Sequence, residues 1–424
     1  MNVTQALSIS ALVLAAGQVA VASLSFGAAL SYPAPQRPGG SAAADFNGDA
    51  FIDIATATDN PDKISLFFGA GDGTFGAAIN VPTGAGTGPD SLAAGDFDAD
   101  GDMDLAVALK GTNTVRIPLN NGAGAFAAGP SAPTGTEPVG LIAADLDADG
   151  DLDLATANRA ANSLSIIRND GAALSSTTVS AGNDPRGVAA GDWDADADLD
   201  LVVTNHDDRT ITLYTNTGGG VYAAGATLSV GAGVRPSGVA AGDVTGDGRA
   251  DIVVGVSDPS FLAVFANTGA GFSGPSNYST GGANTDRPVL ADFDLDGDLD
   301  AVINNQDSAT IAAMENTGAG AFVLAQLVAV GATPEAAAIG DFDGNAMPDW
   351  AAGNRDADTI SVSLNANVPP CPADFNGDGV VDTLDFLAFL NAFNAGDPAA
   401  DVDGNGVLNT IDFLLFLNIF NTPC

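Results

Sequence analysis

The chain has 424 residues, with 53 Asp and Glu against 12 Lys and Arg, and a formal charge of −41. So acidic a surface repels nucleic acid and anionic membranes and attracts cations. An apolar fraction of 46% allows a folded core, while one His and two Cys leave little material for His-based, thiol or zinc chemistry.

Residues 1–22 read as an export signal. An apolar stretch from Ala11 ends on the small residues Ala20, Val21 and Ala22, just before Ser23. No Lys or Arg precedes Arg37, so the free amino terminus alone supplies positive charge there. Gly17 and Gln18 break the stretch, which is too short for a membrane span. Cys371 and Cys424 bracket the last 54 residues, as one disulfide would in an oxidising compartment.

Self-similarity organises the region between. Acidic clusters begin at Asp45, Asp96, Asp145, Asp192, Asp243, Asp292 and Asp341, at intervals of 47 to 51 residues. Each follows a small-residue segment such as Gly187-Val188-Ala189-Ala190-Gly191. Two short apolar runs, an Asn-Thr-Gly-like turn and an aromatic-led run come after it. Four short strands per repeat suit a propeller blade better than a solenoid. Ala and Gly in the first strand fit the crowded centre of such a ring. The aromatic-led fourth strand recurs at Phe75, Phe126, Leu174, Tyr222, Phe272 and Phe322, but the seventh repeat meets Pro369-Pro370 without one. Phe26-Gly27-Ala28-Ala29 lies 49 residues before Phe75-Gly76-Ala77-Ala78. Residues 26–33 are therefore expected to complete the seventh blade, which removes two exposed sheet edges.

The fullest acidic clusters read D-x-D-x-D-G-D-x-D. They are Asp96, Asp98, Asp100, Asp102 and Asp104; Asp145, Asp147, Asp149, Asp151 and Asp153; and Asp292, Asp294, Asp296, Asp298 and Asp300. Ca2+ takes six to eight hard oxygens at about 2.3–2.6 Å. Carboxylates at positions 1, 3, 5 and 9, with the carbonyl of position 7, wrap such an ion. Gly at position 6 supplies the left-handed backbone that the turn needs. A hairpin turn alone explains one Asp and one Gly, but not the alternation. Four loops depart from the pattern. The first has Asp45, Asn47, Asp49 and Asp53, with Ala50 at position 6. The fourth has Asp192, Asp194, Asp196, Asp198 and Asp200, with Ala197 at position 6. The fifth has Asp243, Thr245, Asp247, Arg249 and Asp251. The seventh has Asp341, Asp343, Asn345 and Asp349, with Ala346 at position 6 and Pro348 at position 8. An Ala held in that conformation costs about 1 kcal/mol.

These loops, together with Phe68-Gly69-Ala70-Gly71 and the Asp-Phe-Asp-Ala-Asp-Gly run at 96–101, resemble the FG-GAP/VCBS family of seven-bladed calcium-binding propellers, related to the integrin alpha-subunit head. The resemblance implies extracellular binding or adhesion, with calcium as a structural ion. Some similar propellers belong to enzymes.

After Pro369-Pro370 the pattern changes. Asp374, Asn376, Asp378, Val380, Asp382 and Asp385 take positions 1, 3, 5, 7, 9 and 12 of an EF-hand spacing, and Asp401, Asp403, Asn405, Val407, Asn409 and Asp412 repeat it. Each loop leads into a short apolar helix. The duplicate resembles a dockerin domain, which implies a cohesin partner on another protein. Phe386, Phe389, Leu390 and Phe393 are expected to pack against Phe413, Phe416, Leu417 and Phe420. Leu387, Leu414 and Leu415 then remain as a docking patch.

The nine loops hold 36 of the 53 acids, so up to nine Ca2+ ions would act as a folding cofactor. The blade loops join first and second strands, on one face of the ring. Nine basic residues map to the opposite face: Arg37, Lys63, Lys110, Arg159, Arg186, Arg209, Arg235, Arg287 and Arg355. His206 and many acids join them, so that face is mixed, and suited to a glycan or protein ligand. The sequence thus predicts an all-β seven-bladed β-propeller at 23–368 and a small α-helical EF-hand module at 369–424. The reading is a secreted or surface-attached, non-enzymatic calcium-binding and adhesion module. Its rival is an extracellular polysaccharide lyase or hydrolase, or a lectin, on the same scaffold.

Overall fold

The computed structural model describes residues 24–171, 173–367, 371, 373–376, 381–402 and 407–420. The expected signal at 1–22 and the Cys424 end of the expected disulfide lie outside the described residues. The chain divides into two compact units, one of Ser23–Pro369 and one that holds Pro370–Cys424.

Short runs of small and β-branched residues, punctuated by Gly and Asn turns, form seven four-stranded antiparallel sheets. In blade four, Pro185–Gly191, Asp200–Asn205, Thr210–Asn216 and Tyr222–Ser229 pair in chain order. The first strand of each blade touches the first strand of the next, and the seventh, Pro334–Gly340, touches Gln36–Ala44 of blade one. These strands therefore line a central channel. A Cβ on Gly140 would sit 2.3 Å from the Arg186 carbonyl oxygen, and one on Gly238 would sit 2.6 Å from the Cα of Arg287. Side chains are excluded at those crossings, which accounts for the small residues of the first strand.

Second strands such as Asp104–Leu109 are buried along their whole length. The hydrophobic cores lie between neighbouring blades. Ile64 and Leu66 of blade one share a cluster with Leu105 and Val107 of blade two.

The seventh blade is completed from the start of the chain. Leu30–Pro33 pairs antiparallel with Thr359–Ser363, from Leu30 opposite Val362 to Pro33 opposite Thr359. Upstream, the Gly27 N–H donates to the Leu364 carbonyl at 2.8 Å. Phe26 lies edge-on to Phe293 at 5.4 Å and beside the fully buried Trp350. The Gln326 amide brackets Phe26, accepting its N–H at 2.7 Å and donating to its carbonyl at 2.9 Å.

The fourth strands differ from expectation in blades one, two and five. They begin at Ile79, Ser131 and Ser276, after the aromatic residues expected to lead them. Phe75 and Phe272 make isolated bridges to Gly69 and Asn267 instead. Their rings fill gaps in the cores, as where Phe75 meets Phe342 edge-on at 5.3 Å. Packing demand, not strand pairing, sets these aromatics.

In the second unit, helices span Thr383–Ala395 and Thr410–Phe420. Asp382 caps the first, accepting the Leu384 N–H at 2.6 Å, while Asp385 accepts the Asp382 N–H at 2.7 Å. Phe389 and Phe416 are buried and stack at 4.0 Å. Phe375, Phe386, Phe393, Phe413 and Phe420 surround them. Leu390 and Leu417 are half-buried. Among the described residues, no helix is long and apolar enough to cross a membrane.

Deleting residues 24–33 would expose the Thr359–Ser363 edge. The shortened chain is expected to melt at least about 10 °C lower, or to self-associate. Calorimetry with size-exclusion chromatography checks this, and an unchanged monomeric melt would show that closure contributes nothing.

Candidate metal centres

Each connection between a first and a second strand is one of the nine-residue acidic loops, and all seven share one geometry. Position 1 folds the loop back on itself. One of its carboxylate oxygens accepts the N–H of position 6, from Ala50 to Asp45 at 2.8 Å, Ala197 to Asp192 at 3.1 Å and Gly297 to Asp292 at 3.0 Å. Position 5 accepts the N–H of position 7, as at Asp100 (2.9 Å) and Asn345 (2.7 Å). Position 6 is left-handed whether it is Gly101 (φ 93°), Ala50 (71°), Ala197 (73°) or Ala346 (65°). The degenerate loops thus keep the form of the full ones, at about 1 kcal/mol of strain per Ala. Position 4 is left-handed as well, at Ala99, Ala148, Ala195 and even Leu295, with φ of 59–65°. Loops one, five and seven have Gly48, Gly246 and Gly344 there, at 72–76°, which is the one sign of it in the sequence.

Position 9 opens the second strand, and Asp53, Asp104, Asp153, Asp200, Asp251, Asp300 and Asp349 are all buried. Each accepts a backbone N–H on either oxygen, and Asp251 accepts a third, from Thr245 at 2.9 Å. For Asp104 these come from Phe97 at 3.1 Å and Asn120 at 2.6 Å; for Asp300, from Phe293 at 3.1 Å and Asn316 at 2.8 Å. Burial pushes Asp53, Asp104, Asp153, Asp200 and Asp349 up to about 6 and Asp300 up to about 8. The backbone N–H groups oppose the rise, and the neighbouring loop carboxylates add to it.

The second N–H donor is the start of the Asn turn, and its side chain reaches another blade. Asn120 Nδ2 donates to the Phe46 carbonyl at 2.8 Å, Asn169 to Phe97 at 2.8 Å, and Asn216 to Leu146 at 3.0 Å. Asn267 donates to Trp193 at 3.1 Å, Asn316 to Val244 at 2.8 Å, and Asn365 to Phe293 at 2.7 Å. Blade one has Gly69 in place of Asn, and there the Gly73 N–H takes the Phe342 carbonyl at 2.9 Å. Each accepting residue holds position 2 of the preceding loop, whose own N–H is bonded to position 9. A continuous hydrogen-bonded belt therefore runs through all seven loops.

Several expected ligands converge. In loops two and three, oxygens of Asp96, Asp98 and Asp104, and of Asp145, Asp147 and Asp153, lie within 4.8 Å of one another. In loop four, Asp192, Asp194 and Asp196 do the same. Oxygens about 2.3–2.6 Å from one Ca2+ ion lie this close together. Position 3 carries the clearest sign of fit. Asp147 Oδ1, Thr245 Oγ1 and Asp294 Oδ2 are buried without a hydrogen-bond partner, and a bound cation would satisfy them. Position 7 residues Asp102, Asp151, Asp198 and Asp298 are half-buried. In loop five, Arg249 pairs with Asp247 and donates from Nε to the Asn267 carbonyl at 3.0 Å, so that loop already holds a cation. In loop one, Asp49 accepts the Phe51 N–H at 2.9 Å, and Asn47 accepts the Asp49 N–H at 2.9 Å. In loop seven, Asp343 and Asp341 both accept the Asn345 N–H, at 3.2 and 3.1 Å. Asp243 accepts the Gly248 N–H at 2.6 Å.

In the second unit, position 12 is buried in both loops. Asp385 accepts the Asn376 N–H at 3.0 Å, and Asp412 accepts the Asn409 N–H at 2.7 Å. Asp374 and Asp401 are half-buried and Val407 is exposed. Asp378, Val380, Asp403 and Asn405 lie outside the described residues.

Residues 45–107, 104–156, 145–203, 193–254 and 292–352 match the FG-GAP-like repeat. The chain belongs to the FG-GAP-like repeat family. Residues 236–274 of this FG-GAP chain also match the FG-GAP repeat, and residues 372–421 match the dockerin type I domain. Both kinds of domain generally bind calcium. No curated protein sequence matches the FG-GAP chain. Among solved structures it is similar to selenomethionine-substituted virginiamycin B lyase from Staphylococcus aureus, at 13% identity and a TM-score of 0.57 over 80% of this chain and 99% of that one. It is similar to BBS1N in complex with ARL6DN, at 12% identity and 0.58 over 80% and 96%. A protein from Lactobacillus plantarum shares 16% identity and a TM-score of 0.54 over 71% and 87%. Likeness at these identities concerns the fold alone.

Two outcomes are expected of the FG-GAP ring. First, the carboxyls of Asp53, Asp104, Asp153, Asp200, Asp300 and Asp349 titrate above their usual value of 3.8 in the metal-free protein. Their folded state binds more protons than the unfolded one from about pH 4 to about 6, and to about 8 for Asp300. Stability without metal should therefore fall as pH rises through that window. Metal-free protein is expected to melt about 10 °C or more lower at pH 7.5 than at pH 4.5, and saturating calcium should cancel the difference. Equal metal-free melts at the two pH values would contradict it. Second, Asn316→Ala strands the Val244 and Leu299 carbonyls. A loss of about 1–3 kcal/mol in urea titration is expected, and no loss would mean that the belt carries no load.

Proposed function

We propose that the FG-GAP chain is a secreted, non-catalytic binding module, with a calcium-braced propeller tied to a larger assembly or cell surface through its dockerin module. The carrying observation is a duplicated apolar patch on the second unit. Dockerin domains bind cohesin partner proteins. Leu384 and Leu387 stand at 55% and 52% exposure on the first helix, and Ile411 and Leu414 at 54% and 64% on the second. The two pairs occupy equivalent places in the duplicated sequence. So much exposed aliphatic surface on so small a unit suits a protein partner. Dockerin-containing proteins are typically extracellular. Calcium there reaches the roughly 0.1–1 mM at which extracellular modules bind it.

The non-catalytic reading is supported by how the reactive groups are used. The only histidine, His206, is buried with Nδ1 3.1 Å from Asp184 and 3.3 Å from Asp207. Most carboxylates sit in the loops, where backbone N–H groups and metal account for them. The face away from these loops stays available to a ligand.

The full chain is expected to be retained by immobilised cohesin in calcium and released by EGTA. Leu387→Asp with Leu414→Asp should weaken retention at least tenfold, since each Leu buries roughly 1.5–3 kcal/mol of apolar surface. Retention that ignores both EGTA and these substitutions would sink the docking reading.

A further inference from the structure

On the face away from the metal loops, the mouth of the channel collects charged side chains from six of the seven blades. Arg37, Lys110, Arg159, Arg186, Arg287 and Arg355 line one cavity of about 190 Å3. They are half of the 12 Lys and Arg in a chain of formal charge −41. Four acids line it with them: Asp59, Asp90, Asp286 and Glu335. Glu137 and Asp184, just outside the lining, pair with Arg159 and Arg186, so the cavity sets cations and acids in near balance on a strongly acidic protein.

Lys110 is held by Asp59 at 3.3 Å and Asp90 at 3.2 Å, Arg159 by Glu137, and Arg186 by Asp184 at 2.8 Å, but the pairs of the other three cations are loose. Arg37 Nε is 4.0 Å from Asp59, Arg355 Nη1 is 3.6 Å from Glu335, and Arg287 lies 3.9 Å from Asp90 and 4.0 Å from Asp286. All four distances exceed hydrogen-bond reach. Guanidinium N–H groups therefore line the cavity without a close acceptor in these pairs. Asp286 is buried and already engaged by the Ser237 hydroxyl and, at 3.1 Å, by the Gln306 amide. Burial pushes the Glu335 carboxyl up to about 7 against the pull of Arg287, which lessens the negative charge facing the guanidinium groups at neutral pH.

The cavity has a floor. Arg287 crosses the channel from blade six and donates from Nη1 to Ser91 Oγ of blade two at 3.2 Å. It lines both the polar mouth and the apolar stretch below, where Leu92, Leu141 and Val239 take over. The mouth is thus a blind polar cup. Its volume lies below the roughly 300–1,000 Å3 of sites for drug-sized ligands, so its occupant is small.

We propose that this cup binds a sugar acid, a single ring carrying one carboxylate and several hydroxyls. The inference rests on the reading of the propeller as a binding module and names its ligand class. Guanidinium groups hold a carboxylate through paired N–H donors. The carboxyls of Glu335 and Asp90, which also line the cup, supply acceptors for hydroxyls. A multiply charged anion would meet four carboxylates, so one negative charge suits the cup best.

The test is calorimetric titration of the full chain in saturating calcium with D-galacturonic acid, D-galactose and acetate. Galacturonic acid should bind at one site per chain. Galactose, which lacks the carboxylate, and acetate, which lacks the ring, should bind at least about tenfold more weakly. Arg37→Gln with Arg355→Gln should weaken galacturonic acid at least about tenfold, while Lys63→Gln, on the same face outside the cavity, should match the parent. If the double variant melts early in calcium, Arg355→Lys replaces it, and weaker binding is again expected because the fork is lost. No binding of galacturonic acid, equal binding of acetate, or a folded cavity variant that binds like the parent would overturn the proposal. Cohesin capture is measured in parallel. Its failure would remove the docking reading and leave the cup, and a failed titration with intact capture would remove the cup alone.

Discussion

A carboxylate taken out of water must find donors, and the propeller is organised around seven that do. The position 9 aspartates sit at the root of each second strand, where blades press together. Two backbone N–H groups per carboxylate offset part of the desolvation. The remainder is left to whatever cation the loop gathers. Because the second of those donors belongs to the Asn turn, and that Asn also holds the preceding blade, the state of one loop is felt by the next. Local electrostatics and the integrity of the ring are thus the same problem.

The two faces of the ring solve opposite charge problems. On one, carboxylates outnumber donors, and a divalent ion would restore balance. On the other, guanidinium groups gather around a narrow mouth, and those of Arg37, Arg287 and Arg355 hold their acids only loosely. Arg249 shows the two solutions meeting, since loop five supplies its own positive group to Asp247. A loop with an internal cation needs an external one less, so equal metal affinity across the ring is not built into it.

Much of this was legible in the residues. The repeat interval located seven blades, and the displaced Phe26-Gly27-Ala28-Ala29 copy located the closing strand, because a blade has a fixed backbone length. Alternating Asp marked the loops, because metal ligation demands that spacing. Other features left a trace that was read too simply. Asn120, Asn169, Asn216, Asn267, Asn316 and Asn365 recur at a constant distance from position 9, yet look like turn formers until the neighbouring blade is in place. The aromatics at Phe75 and Phe272 suggested strand starts, but interblade gaps claim them. The cup was illegible, since its six cations come from six blades and only the curvature of the ring brings them together. The left-handed position 4 left only a partial mark, in Gly48, Gly246 and Gly344, because Ala and Leu in the other four loops carry no compositional warning.

Closure by the first strand has a consequence for timing. Gly27 and Ser363 are hydrogen-bonded partners 336 positions apart in the chain. Every other blade can assemble from neighbours as they emerge, but the seventh must wait for the last of its material. Until then, a nearly complete disc carries two open rims that could recruit a second molecule. Acidic side chains crowding the unfinished ring would repel such visitors wherever free calcium is scarce. Final locking is thereby deferred to surroundings rich in that ion.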